Sequence, residues 1–161
     1  MEKDRLKYTI DRFDHYFDSV NNKSAVYIAI NTFITGGIIT LLNQTEIVCN
    51  MSTIGKVSIG VLLFIGVFSL IVLSIASIPF FSKKPDSLYY FGAISKMKRS
   101  EFNSTSKNYS DKDELQDLRS QVYILSNGLT TKFSRLKFAG ILLVAQFFLL
   151  LPTLYFILIN S

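Results

Sequence analysis

The sequence predicts an all-α membrane protein: three transmembrane helices, an N-terminal amphipathic helix, and a small cytoplasmic segment whose long helix runs into the third span. Two observations predict it. Hydrophobic residues make up 49% of the 161 positions against 18% charged, and they gather in three blocks instead of dispersing. The 17 Lys and Arg lie almost wholly on one side of those blocks.

The blocks are residues 25–42, 57–81 and 138–159, together 65 positions, and none contains an Asp, Glu, Lys or Arg. At 1.5 Å rise per residue, roughly 20 residues cross the ~30 Å hydrocarbon core. What remains is too short for a sizeable soluble catalytic core. Five Lys and Arg precede residue 25, one lies between the first two blocks, eleven lie between the second and third, and none follows Phe138. Short flanking segments rich in Lys and Arg stay cytoplasmic. The expected topology therefore has the N-terminus inside, the 43–56 loop outside, the 82–137 segment inside and the C-terminus outside. The net charge of +5 then reads as a topology signal and a membrane-surface contact, not as a nucleic-acid interface, since no basic stripe alternates with stacking aromatics.

Within residues 1–24, Leu6, Ile10, Phe13, Phe17 and Val20 recur at alternating spacings of 4 and 3, one face of a helix. This helix lies on the bilayer or packs on other cytoplasmic helices, and its near-balanced charge favours packing. The same stretch mixes acids and bases with no apolar run, which is not a signal-peptide pattern. In the first span, Asn31 is an amide at membrane depth and Gly36-Gly37 a close-approach pair. Such residues face other helices, either within the chain or at a pore or subunit seam. Gly60 and Gly66 read the same way more weakly. Pro79, followed by Lys83, Lys84 and Pro85, closes the second span.

In the 82–137 segment, the aromatic run Ser87-Leu88-Tyr89-Tyr90-Phe91-Gly92-Ala93-Ile94 is too short for periodicity to separate strand from helix. Residues 100–110, mainly Ser, Thr, Asn and Lys, predict a loop. Ser110 then caps a helix with Asp111, Asp113 and Glu114 in its first turn. Leu115, Leu118, Val122, Leu125, Leu129, Phe133 and Leu136 follow as a packing seam, with Gly128 its weak point, and no breaker separates the seam from the third span. Gln146 and Pro152 in that span offer a polar contact and a kink.

Catalytic chemistry has little material here. His15 is the only histidine and there is no Gly-rich phosphate loop, so neither a catalytic site, a metal site nor a cofactor site is expected. Cys49, the only cysteine, sits in the outer loop as an ordinary thiol or as half of an intermolecular disulfide. Asn-x-Ser/Thr triplets such as Asn43-Gln44-Thr45 and Asn103-Ser104-Thr105 fall on both sides of the expected membrane and read as composition.

Four stretches carry a family resemblance: Asn21-Asn22-Lys23 leading into Ala29-Ile30-Asn31-Thr32; Gly36-Gly37; Ser87-Leu88-Tyr89-Tyr90-Phe91-Gly92; and Asp117-Leu118 with Gln121-Val122-Tyr123 leading to Lys132. In this order around three spans, over nearly the whole chain, they resemble the membrane effectors of Pycsar, the bacterial pyrimidine cyclase system of antiphage resistance. That family often places an acid two residues before the lysine preceding the first span. Asn21 stands there instead, keeping the hydrogen bond and losing the charge. The resemblance implies that a partner cyclase makes cyclic CMP or cyclic UMP, that the effector senses it as a homo-oligomer, and that the inner membrane is compromised to abort infection. A cyclic nucleotide needs a cation or amide nest, hydroxyl or amide partners and a stacking ring. Lys23, Tyr89, Tyr90, Arg119, Gln121 and Lys132 offer these groups, and Asn31, Gly36 and Gly37 a seam. The competing expectation is a small oligomeric membrane scaffold or assembly subunit with no nucleotide ligand.

Overall fold

The computed structural model describes residues 1–43, 51–79 and 87–159. Cys49, Lys83, Lys84 and Pro85 lie outside the described residues. Every regular element among those described is helical: α1 Glu2–Leu42, α2 Thr53–Ser77, α3 Phe91–Ile94, α4 Arg99–Lys107 and α5 Asp111–Ile159. Helices α1, α2 and α5 are long and apolar enough to cross a membrane. In hydrocarbon every backbone N–H and C=O must be satisfied within the segment, so apolar runs of this length can only be helices. The expected all-α architecture with three spans is the one observed, and the seam in α5 does continue into the third span without a break. The chain divides into two compact units, one of Met1–Ser19 with Pro79–Thr131 and the other of Val20–Ile78 with Lys132–Ser161.

In the first unit the N-terminal part of α1 turns its predicted stripe inward: Leu6 is buried, and Ile10, Phe13 and Phe17 are half-buried. Its charges explain why it packs on protein. Lys3 and Lys7 both pair with Glu114 of α5, the latter at 3.1 Å, and Glu2 pairs with Arg119. Ser110 caps α5 as expected, its Oγ accepting from the Asp113 N–H at 3.2 Å while the Asp113 carboxylate accepts from the Ser110 N–H at 3.3 Å. The aromatic run resolves into a turn and the single-turn helix α3.

Residues 100–110 correct the sequence reading, because most of this expected loop is the helix α4. Ser, Thr and Asn trail the good helix formers by only tenths of a kcal/mol each. Glu101 in the first turn and Lys107 in the last complement the helix dipole, and half-buried Phe102 gives the helix an inner face.

In the second unit, Ile38 of α1, Ile59 and Leu62 of α2, and Ile157 of α5 form an apolar core with Met51. Helix α2 begins earlier than the apolar block suggests, with the Ser52 hydroxyl accepting from the Gly55 N–H at 3.3 Å, and it stops before Pro79. A polar cluster is buried beside this core. The Thr35 hydroxyl donates to Asn31 Oδ1 at 2.9 Å, and Gln146 Nε2 donates to Thr35 Oγ1 at 3.1 Å and approaches Asn31 Oδ1 at 3.5 Å. Thr153 Oγ1 donates to the Leu149 carbonyl at 2.7 Å, which leaves Ser58 as the donor in the 2.7 Å Ser58–Thr153 bond.

The three expected seam residues therefore separate. Asn31 is fully buried within the chain, whereas Gly36 and Gly37 are exposed and a Cβ at either would meet nothing within 4 Å. The close approach is made at Gly66 instead, where an added Cβ would collide with Thr35 Oγ1 and lie 2.8 Å from Gln146 Nε2. Gly66→Ala should accordingly lower the melting temperature in detergent by the equivalent of about 1–3 kcal/mol of overpacking. Gly36→Ala and Gly37→Ala should leave it unchanged or raised, since alanine exceeds glycine in helix propensity by about 1 kcal/mol. Equal tolerance at all three positions in a thermal melt would contradict the packing.

Candidate functional site

Helix α5 begins with a polar stripe beside its apolar one. Asp113, Gln116, Asp117, Ser120, Gln121 and Ile124 recur at helical spacing on one face. That face walls a cavity of about 630 Å³ in the first unit, closed by Ser87 and by Thr105, Asn108 and Tyr109 at the end of α4. Its size is typical of a small-molecule site. Asp117, buried at 7% exposure, ties the walls together by accepting from the Leu88 N–H at 3.0 Å and the Tyr109 hydroxyl at 2.7 Å. Burial, and then this bond to the carboxylate, hold the Tyr109 hydroxyl above its usual pKa. Gln121 is 8% exposed and lines the cavity, and its amide makes no hydrogen bond to the described residues. No Lys or Arg among the described residues lines the cavity.

The six residues expected to hold a nucleotide are only partly brought together. Gln121 is in the cavity wall. Arg119, two residues earlier, projects roughly 200° away around α5 and forms a two-pronged pair with Glu2, both bonds 3.0 Å. The Tyr89 hydroxyl donates to Glu114 at 2.5 Å, and its ring lies 5.9 Å below the Lys7 ammonium. Tyr90 packs its ring against Phe91 at 5.1 Å. Lys23 and Lys132 belong to the second unit. Lys23 is exposed, while Lys132 is 5% exposed and donates to Asn21 Oδ1 at 3.2 Å. Burial, reinforced by the nearby Arg135 charge, holds the Lys132 ammonium below its ordinary pKa. Sequence reasoning missed Asp117 as the clamp, together with Gln116, Ser120, Asn108 and Tyr109. The signal for them is the polar stripe, which runs beside the apolar stripe on the same helix.

Glu114 anchors α1 in this unit. The hydrogen bond from Lys3, then that from Tyr89, lower its pKa to about 2 from an ordinary 4.5. Burial, and then the same bond to Glu114, push the Tyr89 hydroxyl up to about 12. Since the Glu114 pKa is depressed by folding, its contribution is complete above about pH 4.5 and is lost as the pH falls toward 2. Glu114→Gln should lower the melting temperature at pH 6 and reduce the further drop between pH 5 and pH 3. An acid-induced drop of the same size in wild type and variant would assign it to other groups.

The comparisons with known proteins bear on the whole chain. The family model described as the Pycsar effector protein domain, PycTM, matches residues 5–159. Comparison with curated proteins and with solved structures gives no match. With residues 5–159 matched and three helices able to span a membrane, the chain belongs to the Pycsar effector protein domain family and is a membrane protein whose family supports a role in antiphage defence.

Proposed function

We propose that this chain is the membrane effector of a cyclic-nucleotide antiphage system, opened by cyclic UMP or cyclic CMP from a partner pyrimidine cyclase and acting by impairing inner-membrane integrity. The observation that supports the reading, beyond family membership, is the nearly buried Gln121 amide, without a hydrogen bond to the described residues, lining a nucleotide-sized cavity. A pyrimidine edge presents both donors and acceptors, and a primary carboxamide supplies both. The same amide serves uracil or cytosine by rotating about its terminal torsion. The ring enters first, because Asp113 and Asp117 would repel a phosphate placed deep in the cavity. The phosphate stays at the mouth.

Gating follows from differential affinity. Moving a resting state from 1:99 to 99:1 takes about 5.5 kcal/mol, more than one small anionic ligand readily supplies, so several identical sites in one homo-oligomer are part of the reading. Three spans per chain also cannot enclose a water path alone. Gly36 and Gly37, exposed and open, are the seam we assign to contacts between copies. Helix α5 carries Gln121 and, without a break, the third span. The N-terminus is cytoplasmic in this reading, in keeping with the concentration of Lys and Arg in the 1–24 and 82–137 segments.

Liposomes containing the reconstituted chain should leak dye when cyclic UMP or cyclic CMP is added. Gln121→Ala should weaken the apparent affinity roughly 5- to 30-fold, the equivalent of one lost buried hydrogen bond at about 1–2 kcal/mol. Equal leakage with and without either nucleotide, together with no binding heat for either, would end this reading in favour of a ligand-free membrane scaffold.

A further inference from the structure

Charge is shared unevenly between the two units. Every Asp and Glu among the described residues belongs to the first. The described part of the second holds Lys23, Lys56, Lys132, Arg135 and Lys137 and no acid at all. Four of these cations stand where α1 and α5 enter their apolar stretches. Among the described residues, buried Lys132 has the neutral Asn21 amide as its side-chain partner and Arg135 reaches the Ile75 carbonyl at 3.5 Å, so neither cation pairs with a described carboxylate. Lys23 and Lys137 are exposed and form no ion pair with the described residues. No Asp or Glu among the described residues of this unit offsets these four positive charges.

Lys23 and Lys137 also share a groove of about 480 Å³ between α1 and α5. Gly140 gives the groove its floor. A Cβ there would lie 3.3 Å from Tyr27 Cε2, so the missing side chain leaves room for the tyrosine ring. Past Gly140 the groove is lined by Ile141 and Val144, one and two turns beyond Lys137 on the same stripe of α5 and inside the third span. Positive charge at one end and an apolar wall running into the membrane from the other match one class of molecule.

We propose that this groove binds an anionic phospholipid, its phosphate headgroup held by the Lys23 and Lys137 ammonium groups and its acyl chain laid along Ile141 and Val144. Lysines at the mouth of a pocket between spanning helices are a recurring way of holding lipid phosphate. A lipid uses both ends of the groove, whereas inorganic phosphate or a mononucleotide leaves its apolar length uncovered. Lys132 and Arg135 add positive potential at the headgroup without touching it. Lys23 is thereby assigned to lipid and not to the nucleotide.

The test uses the full chain in detergent, titrated with phosphatidylglycerol or phosphatidylcholine of identical acyl chains and read by native mass spectrometry. Wild type should retain phosphatidylglycerol about tenfold better. The double variant Lys23→Ala/Lys137→Ala should bring that preference close to unity, while Lys23→Arg/Lys137→Arg and the first-unit control Lys96→Ala/Lys98→Ala should keep it. Equal retention of the two lipids by wild type would overturn the proposal, as would an equal loss in the first-unit control. Displacement of bound phosphatidylglycerol by cyclic UMP would also overturn it, giving the groove to nucleotide.

Discussion

Three apolar helices in hydrocarbon gain little by leaving lipid for one another, and the Asn31–Thr35–Gln146 cluster is what gives this bundle a register. Lipid tails are as apolar as leucine, so helix association rests on close packing and on polar groups that find partners. Gln146 reaches from α5 to Thr35 and Asn31 of α1, and Gly66 of α2 supplies the room in which they meet. A side chain at 66 would occupy the space of the Thr35 hydroxyl. Sliding α5 by one turn would leave the Gln146 amide in an apolar medium, where an unpaired polar group costs several kcal/mol.

The same economy of polar groups marks the two units off from each other. The first is laced by ion pairs, with Glu114 receiving two lysines and a tyrosine and Glu2 receiving Arg119. Because these pairs are largely exposed they contribute modestly to stability, and they serve more to fix where α1 lies on α5. The second unit uses amides and hydroxyls where the first uses carboxylates. Asn21 shows the difference most directly, since it accepts from Lys132 without neutralising it. An acid at that position would pair with Lys132; the amide leaves this buried cation without a carboxylate among the described residues.

The helices were legible in the sequence because membrane spans obey one simple rule. Uncharged runs of 18 or more residues must be helical whatever packs against them. The N-terminal stripe and the Ser110 cap were legible too, each resting on local spacing. Helix α4 was not, because its Ser, Thr and Asn content is close to neutral between helix and loop, and its inner face comes down to half-buried Phe102 and Thr105. Gly36-Gly37 and Gly66 look alike in one dimension. Only the meeting of three helices shows that Gly66 faces Thr35 and Gln146 while the pair faces outward. The candidate site was half legible: Gln121 was named for its amide, and helical spacing sets Arg119 on the other side of α5, but its pairing with Glu2 depends on where α1 packs.

The composition of the cavity wall constrains how an effector of this family can meet an anionic second messenger. Among the described residues, carboxylates at Asp113 and Asp117 and amides at Gln116 and Gln121 make a wall rich in acceptors and without a Lys or Arg. Tyr109, Leu88 and Asp117 hold that wall in shape without ligand, so the cavity is preorganised for hydrogen-bond donors and against negative charge. A nucleotide entering by its base loses little, because the phosphate keeps its water at the mouth. One entering by its phosphate would have to shed that water against two like charges. Discrimination among nucleotides under the proposed function therefore resides in the base and its carboxamide partner, while the phosphate contributes charge that salt can screen. That division matches the proposed signal, since cyclic UMP and cyclic CMP share a phosphate and a ribose, and a rotating carboxamide serves either pyrimidine edge.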